Sequence, residues 1–185
     1  MRTFLLSLMA LLLLAAPALA LETENMNFYV QGIFALPLGD FGDFAGSGFG
    51  GGLGIRVPYN DVLSFRGEAG YIAFGKKDYE FPDFPDYNYE YSYSMIPIMA
   101  LGEYFFTADR LFYGLGGVGL TMLRASVDYK GDDDSPFLYD DTVSNTEFTI
   151  SLGAGYAVNE HISIEGRYNL ISDANQVTIH GVIHF

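Results

Sequence analysis

Residues 177–185 read "VTIHGVIHF". Val177, Ile179, Gly181, Ile183 and Phe185 form one alternating set; Thr178, His180, Val182 and His184 form the other. Strict alternation of this kind describes a strand with one face in an apolar environment. The chain stops on an aromatic residue in mid-strand, with no polar tail to fray as soluble domains do. The expectation is that Phe185 belongs to the strand and that the strand needs it.

The same alternation recurs upstream, and helical periodicity is nearly absent. Eight strands are predicted, at about 27–36, 47–57, 62–74, 88–106, 110–127, 146–157, 161–171 and 176–185. Glycine is dense within them, as in "GSGFGGGLG" and "YGLGGVGL", which points to close backbone packing or strong curvature. Residues 58–61, 107–109 and 158–160 make tight turns. The alternate links are longer: "PLGDFGDFAG", "GKKDYEFPDFPDY" and "DYKGDDDSPFLYDDTVSN". Ser172–Asn175 breaks this alternation by being short.

An even number of strands, with tight turns at one end and long loops at the other, is the plan of a bacterial outer-membrane barrel. An open edge in hydrocarbon would leave backbone N–H and C=O groups unpaired, so the last strand must pair with the first. Phe185 is then expected at the inner lipid interface. The predicted fold is an all-β, eight-stranded, antiparallel up-and-down transmembrane barrel spanning residues 21–185. The leading "MRTFLLSLMALLLLAAPALA" has one positive charge, an apolar run and an A-x-A site, so residues 1–20 read as a cleaved signal peptide. Both termini are expected in the periplasm.

Composition narrows the alternatives. A formal charge of −14 disfavours a nucleic-acid partner and a basic membrane-docking patch. No cysteine is present, which removes disulfides and thiolate metal sites. A soluble barrel would alternate too, with its apolar face inward. Yet the only lysines, Lys76, Lys77 and Lys130, all fall in predicted loops. Strands offering no lysine to water fit lipid better than solvent.

With apolar faces turned to lipid, charged strand residues turn inward. Arg66-Gly67-Glu68 on the third strand and Glu165-Gly166-Arg167 on the seventh are charge-reversed copies. They face each other across an eight-strand lumen, with Arg66 level with Glu165 and Glu68 level with Arg167. A lumenal ion-pair cluster is expected, joined by Glu103 and within reach of Arg56 and His180. It would form a structural plug, or else a gated ion path. Around Pro97, which lacks a ladder donor, the sequence leaves open whether a bulge changes the register.

The stretch "NFYVQGIFALPLGDFGDFAGSGFGGGLGIRVPYND" and the terminal "GVIHF" resemble the small outer-membrane β-barrel family of the OmpX and OmpA type, over the whole chain after the signal. The resemblance implies that Val177, Ile179, Gly181, Ile183 and Phe185 act as the signal to the barrel-assembly machinery. Some family barrels deacylate lipid A with a His-x-Ser arrangement, and His161-Ile162-Ser163 matches that spacing. His161, however, follows a turn at the wrong end for an outer-leaflet lipid. His180 and His184 lack a clear third metal ligand. Asp132–Asp134, Asp140 and Asp141 lack EF-hand spacing. Tyr79, Tyr87, Tyr89, Tyr91 and Tyr93 are expected to supply the outer aromatic girdle and an exposed surface.

The function expected is non-enzymatic: envelope structure or surface interaction through long extracellular loops. A narrow gated channel and a lipid A-modifying enzyme stay open as alternatives. Expected partners are outer-membrane lipid and lipopolysaccharide, with the assembly machinery during biogenesis. No cofactor or metal is expected, and the barrel is expected to be monomeric.

Overall fold

The computed structural model describes residues 26–80, 88–130, 141–172 and 174–185. The signal expectation at 1–20, Asp132–Asp134, Asp140, and Tyr87 lie outside these residues.

The elements are β1 (Asn27–Pro37), α1 (Asp40–Phe44), β2 (Gly48–Pro58), β3 (Leu63–Phe74), β4 (Lys77–Glu80), β5 (Asn88–Phe105), β6 (Phe112–Lys130), β7 (Asp141–Ala157), β8 (Ile162–Ile171) and β9 (Gln176–His184). Each barrel strand pairs antiparallel with its sequence neighbour, and β9 pairs with β1 to close the cylinder. Eight strands form the wall: β1–β3 and β5–β9. The short β4 pairs only with the start of β5, above the β3–β5 seam. The amide of Phe185 donates to the carbonyl of Phe28 at 2.9 Å, so the last residue takes part in closure.

The faces are apolar out. Phe28, Phe49, Leu53, Ile98, Phe148, Leu152 and Ile164 are exposed, while Gln31, Ser64, Thr121, Ser151 and Thr178 are buried. Hydrocarbon at the outer surface accounts for both sets; water there would favour the reverse. Near the termini the exterior carries paired aromatics, Phe112 against Tyr156 at 4.8 Å and Tyr104 against Phe106 at 5.6 Å. These make an interfacial girdle.

The lumen has two fillings. Toward the termini it is charged. Toward the other end it is apolar: Ile33, Ala35, Ile72, Phe74, Met95 and Ile171 pack together, with Tyr93 and Leu123 against them. Helix α1 lies across that end and inserts Phe41, whose ring meets Phe74 at 5.2 Å and Tyr93 at 5.7 Å. Tyr93 is therefore part of the plug and not of an outer girdle.

No bulge forms at Pro97. The β5–β6 register is continuous from Asn88↔Lys130 to Phe105↔Tyr113, and β3–β5 keeps one offset from Ala69↔Ile98 to Ile72↔Met95. A missing donor is tolerated without any slip, because a one-residue shift would reverse every face beyond it.

The wall is uneven in height. Strands β5, β6 and β7 have 18, 19 and 17 residues, against 10 and 9 for β8 and β9. A tilted strand needs about 9–11 residues to cross a bilayer. The excess of about seven residues carries the β5–β7 ladder about 20 Å further. The change falls at one register level: Ser94, Arg124 and Ser144 are paired neighbours just beyond Ile96, Met122 and Thr146. The expected sixth strand began at residue 146, whereas β7 begins at Asp141. Beyond hydrocarbon both faces can be polar, so the ladder continues after apolar alternation has ended.

Candidate functional site

β3 and β8 are the third and seventh strands of the eight-stranded wall, and both project charge into the lumen. Arg66 donates through Nη1 to Glu165 Oε1 at 2.6 Å and to Glu103 Oε1 at 2.8 Å. Its Nη2 lies 3.4 Å from Glu68 Oε2. Arg167 grips Glu68 through Nη1 and Nη2, the latter at 3.2 Å, and donates through Nε to Glu165 Oε2 at 3.0 Å. Arg56 on β2 donates from Nη2 to Glu103 Oε1 at 2.8 Å, and its Nε lies at ion-pair distance, 2.7 Å, from Oε2. Arg66, Glu103, Glu165 and Arg167 are each at most 3% exposed. Three guanidinium groups thus balance three carboxylates in a water-poor space, where an unpaired ion would be costly.

The structure brings together Arg66, Glu68, Glu103, Glu165 and Arg167 and adds Arg56. His180 does not join the ion pairs; its ring bonds Gln31 at 2.9 Å and Thr178 at 2.8 Å.

Two tyrosines absent from the sequence reading complete the cluster. Tyr29 donates to Glu68 Oε2 at 2.7 Å and accepts from Arg66 Nε at 3.0 Å. The Arg66 guanidinium also sits 4.3 Å from the centre of its ring. Tyr113 donates to Glu165 Oε1 at 2.8 Å. Each ring crosses a glycine to reach its carboxylate: the ladder reads Tyr29, Gly54, Glu68 across β1–β3 and Tyr113, Gly155, Glu165 across β6–β8. A Cβ at Gly54 would lie 2.2 Å from Tyr29 Cζ, and one at Gly155 would lie 2.2 Å from Tyr113 Cζ. The signal was there to find: an inward tyrosine facing a glycine, with an inward Glu one strand beyond.

The other candidates do not assemble. His161 is exposed beside Glu160 at 3.5 Å, and Ser163 is buried against His184 Nε2 at 3.1 Å. The His161–Ser163 pair is therefore absent. Among the described residues, no three His, Asp or Glu side chains converge as metal ligands. Between the ion pairs and the apolar plug lies a space of about 20 Å³, lined by Gln31, Thr121, Thr149 and His180, room for about one water. Two successive layers therefore fill the lumen.

An apolar exterior around a closed antiparallel ladder, with paired charges sealed inside, is the construction of a transmembrane β-barrel. The chain belongs to the family described as outer membrane protein beta-barrel domain, which it matches over residues 6–182. Three solved structures share the fold. Ail, the attachment invasion locus protein of Yersinia pestis, crystallised with the heparin analogue sucrose octasulfate, is 13% identical with a TM-score of 0.58, covering 86% of this chain and 96% of that one. Neisserial surface protein A is 17% identical with a TM-score of 0.51 over 86% and 97%. The N-terminal barrel domain of Pseudomonas aeruginosa OprF is 10% identical with a TM-score of 0.52 over 86% and 97%. No curated protein matches the sequence significantly.

Proposed function

We propose that this is a non-enzymatic, monomeric outer-membrane barrel acting at the cell surface. Both termini would face the periplasm, and the tall β5–β7 wall would stand beyond the lipid. One observation carries the reading: the ladder of β5, β6 and β7 continues past the level of Ser94, Arg124 and Ser144, where the apolar belt ends. A membrane anchor alone needs no such extension. Arg124 is exposed at that level, a suitable height for phosphate groups of lipopolysaccharide.

The polyanion bound by Ail is a poor guide to a ligand here. Residues 132–134, 140 and 141 are all aspartate, and a dense anion would be repelled. A cationic or cation-bridged partner suits this end better. The unassembled His161 and Ser163 argue against lipid deacylation. The two lumen layers argue against a steady pore.

An epitope inserted between Asp134 and Ser135 tests the orientation. Antibody should bind it on intact cells; binding only after the envelope is permeabilised would reverse the assignment. Wild-type protein in planar bilayers should show no sustained conductance, and sustained open events would restore the channel reading. We further propose that Val177, Ile179, Gly181, Ile183 and Phe185 guide assembly, the Phe185 ring being 72% exposed on the exterior. Deleting Phe185 should lower outer-membrane levels while export continues. Unchanged levels would remove that role.

A further inference from the structure

Between β5 and β6 the chain makes a turn that is strained at one residue. Arg110 has φ of 56°, and among the described residues it alone, apart from glycine, has a positive φ. That conformation is unfavourable for an L-residue, whose Cβ crowds the following carbonyl. The turn is tied locally. The Arg110 amide donates to the Thr107 carbonyl at 3.0 Å, and the Asp109 carboxylate accepts from the Thr107 hydroxyl and from the Leu111 amide at 3.2 Å. The Thr107 hydroxyl, with the Leu111 amide, holds Asp109 below the usual carboxylate range.

The outcome is the placement of one side chain. The Arg110 guanidinium lies 4.2 Å from the centre of the Phe105 ring, with Nη2 3.3 Å from Ser64 Oγ. Among the described residues no carboxylate lies within ion-pair distance of it. It borders a cavity of about 390 Å³ between the charged layer and the turns at the terminal end. Arg56, Tyr113, Ser163 and His184 share that wall. Arg56 is neutralised by Glu103. His184 is 8% exposed; its Nε2 meets Ser163, and its buried Nδ1 has no hydrogen-bond partner. In the tautomer in which Nε2 accepts from the Ser163 hydroxyl, Nδ1 carries the proton and is a donor in need of an acceptor.

The six lumenal charges cancel, which leaves Arg110, Asp109 and Glu160 as the remaining charges on the cavity wall, and most of the five Arg110 N–H donors are uncommitted. Asp109 is occupied by its turn. Glu160 stands at the rim, 85% exposed beside His161. A held guanidinium with uncommitted donors, a buried nitrogen without a hydrogen-bond partner and a partly open cavity beside them together suit an anion. We propose that this cavity binds a small oxyanion, a phosphate or carboxylate group, on the Arg110 guanidinium, with Arg56 and His184 behind it. A planar fork of donors recognises such groups in a way that an ammonium does not. The strained turn serves to aim that fork. Binding does not depend on which side of the membrane this end faces.

The test uses the full barrel folded in maltoside micelles, whose headgroups carry no charge. Inorganic phosphate, acetate and chloride at matched ionic strength are titrated while the amide resonances of Arg110, Leu111 and His184 are followed. Phosphate or acetate should give saturable shifts, and chloride only small linear ones. Arg110→Gln should weaken binding at least tenfold. Arg110→Gly should do the same while keeping the turn, since glycine adopts φ of 56° without strain. Arg110→Lys should fall between. Dihexanoylphosphatidylglycerol, added below its own micelle-forming concentration, distinguishes the sources. Saturation at lower concentration than inorganic phosphate marks a lipid headgroup, and the reverse marks a free anion. A chloride-like response to every oxyanion in wild type, or equal saturation in both Arg110→Gln and Arg110→Gly, would overturn the proposal.

Discussion

The two layers of the lumen are filled by opposite chemistry. In the charged layer a single guanidinium, that of Arg66, serves Glu165, Glu103, Glu68 and Tyr29. In the apolar layer Ile33, Ile72, Phe74 and Phe41 contribute contacts without direction. Directional bonds shared among buried ions leave no partial state, because losing one member strands the rest. Dispersion and burial are graded, and neighbours can settle into part of a vacated volume. The charged layer therefore specifies one arrangement, while the apolar layer adds cohesion and a second seal.

The largest expected effect attacks the charged layer from one side. Arg66→Ala leaves three carboxylates facing two guanidinium groups and should cost about 3–5 kcal/mol, measured by reversible urea unfolding in lipid vesicles. A loss below about 1 kcal/mol would erase the contrast between the layers, since exposed ion pairs are worth no more than that.

Met95→Ala probes the other layer. Its side chain is fully buried, and truncation should cost about 2–3 kcal/mol, the lower part of the range for such changes, because α1 and Phe41 can move inward. Combining it with Arg66→Ala should give additive losses. Strong coupling between the two would mean that the layers are one unit.

Glycine placement sharpens the comparison further. Gly155→Ala forces a methyl group against Tyr113 and should cost about 1–3 kcal/mol, as overpacking does. Gly166→Ala, where a Cβ meets nothing within 4 Å, should be nearly neutral. Equal effects would show that Tyr113 can move aside without harm to Glu165. The smallest change is Thr121→Val, which removes the buried 2.7 Å bond to Thr149 and should cost about 1 kcal/mol.

How much of this was legible in the sequence differs by region for physical reasons. Alternation is imposed wherever one face meets lipid, so the strand faces and the level pairing of Arg66 with Glu165 could be read directly. Where lipid ends the constraint ends, and the upper parts of β6 and β7, of mixed polarity, read as loop. Tyr29 and Tyr113 were missed because an inward tyrosine is informative only beside the glycine that admits it, and that pairing depends on register between strands. Helix α1 was invisible: Asp40–Phe44 is too short for periodicity, and Phe41 matters only through the lumen it covers. Pro97 left the register open, since local donor loss allows a bulge that the closed register does not take up. Arg110 carried no local sign either, because its role lies in a backbone angle.

The central claim is that direct pairing of Arg66 with Glu165 across the lumen holds the charged layer together. The most direct measurement is a double-mutant cycle of Arg66→Gln and Glu165→Gln, by urea unfolding in vesicles. Removing both leaves Arg56 and Arg167 balanced against Glu68 and Glu103. The double variant should therefore be less destabilised than the sum of the singles, with a coupling of about 2 kcal/mol. Losses that add to within about 0.5 kcal/mol would contradict the pairing.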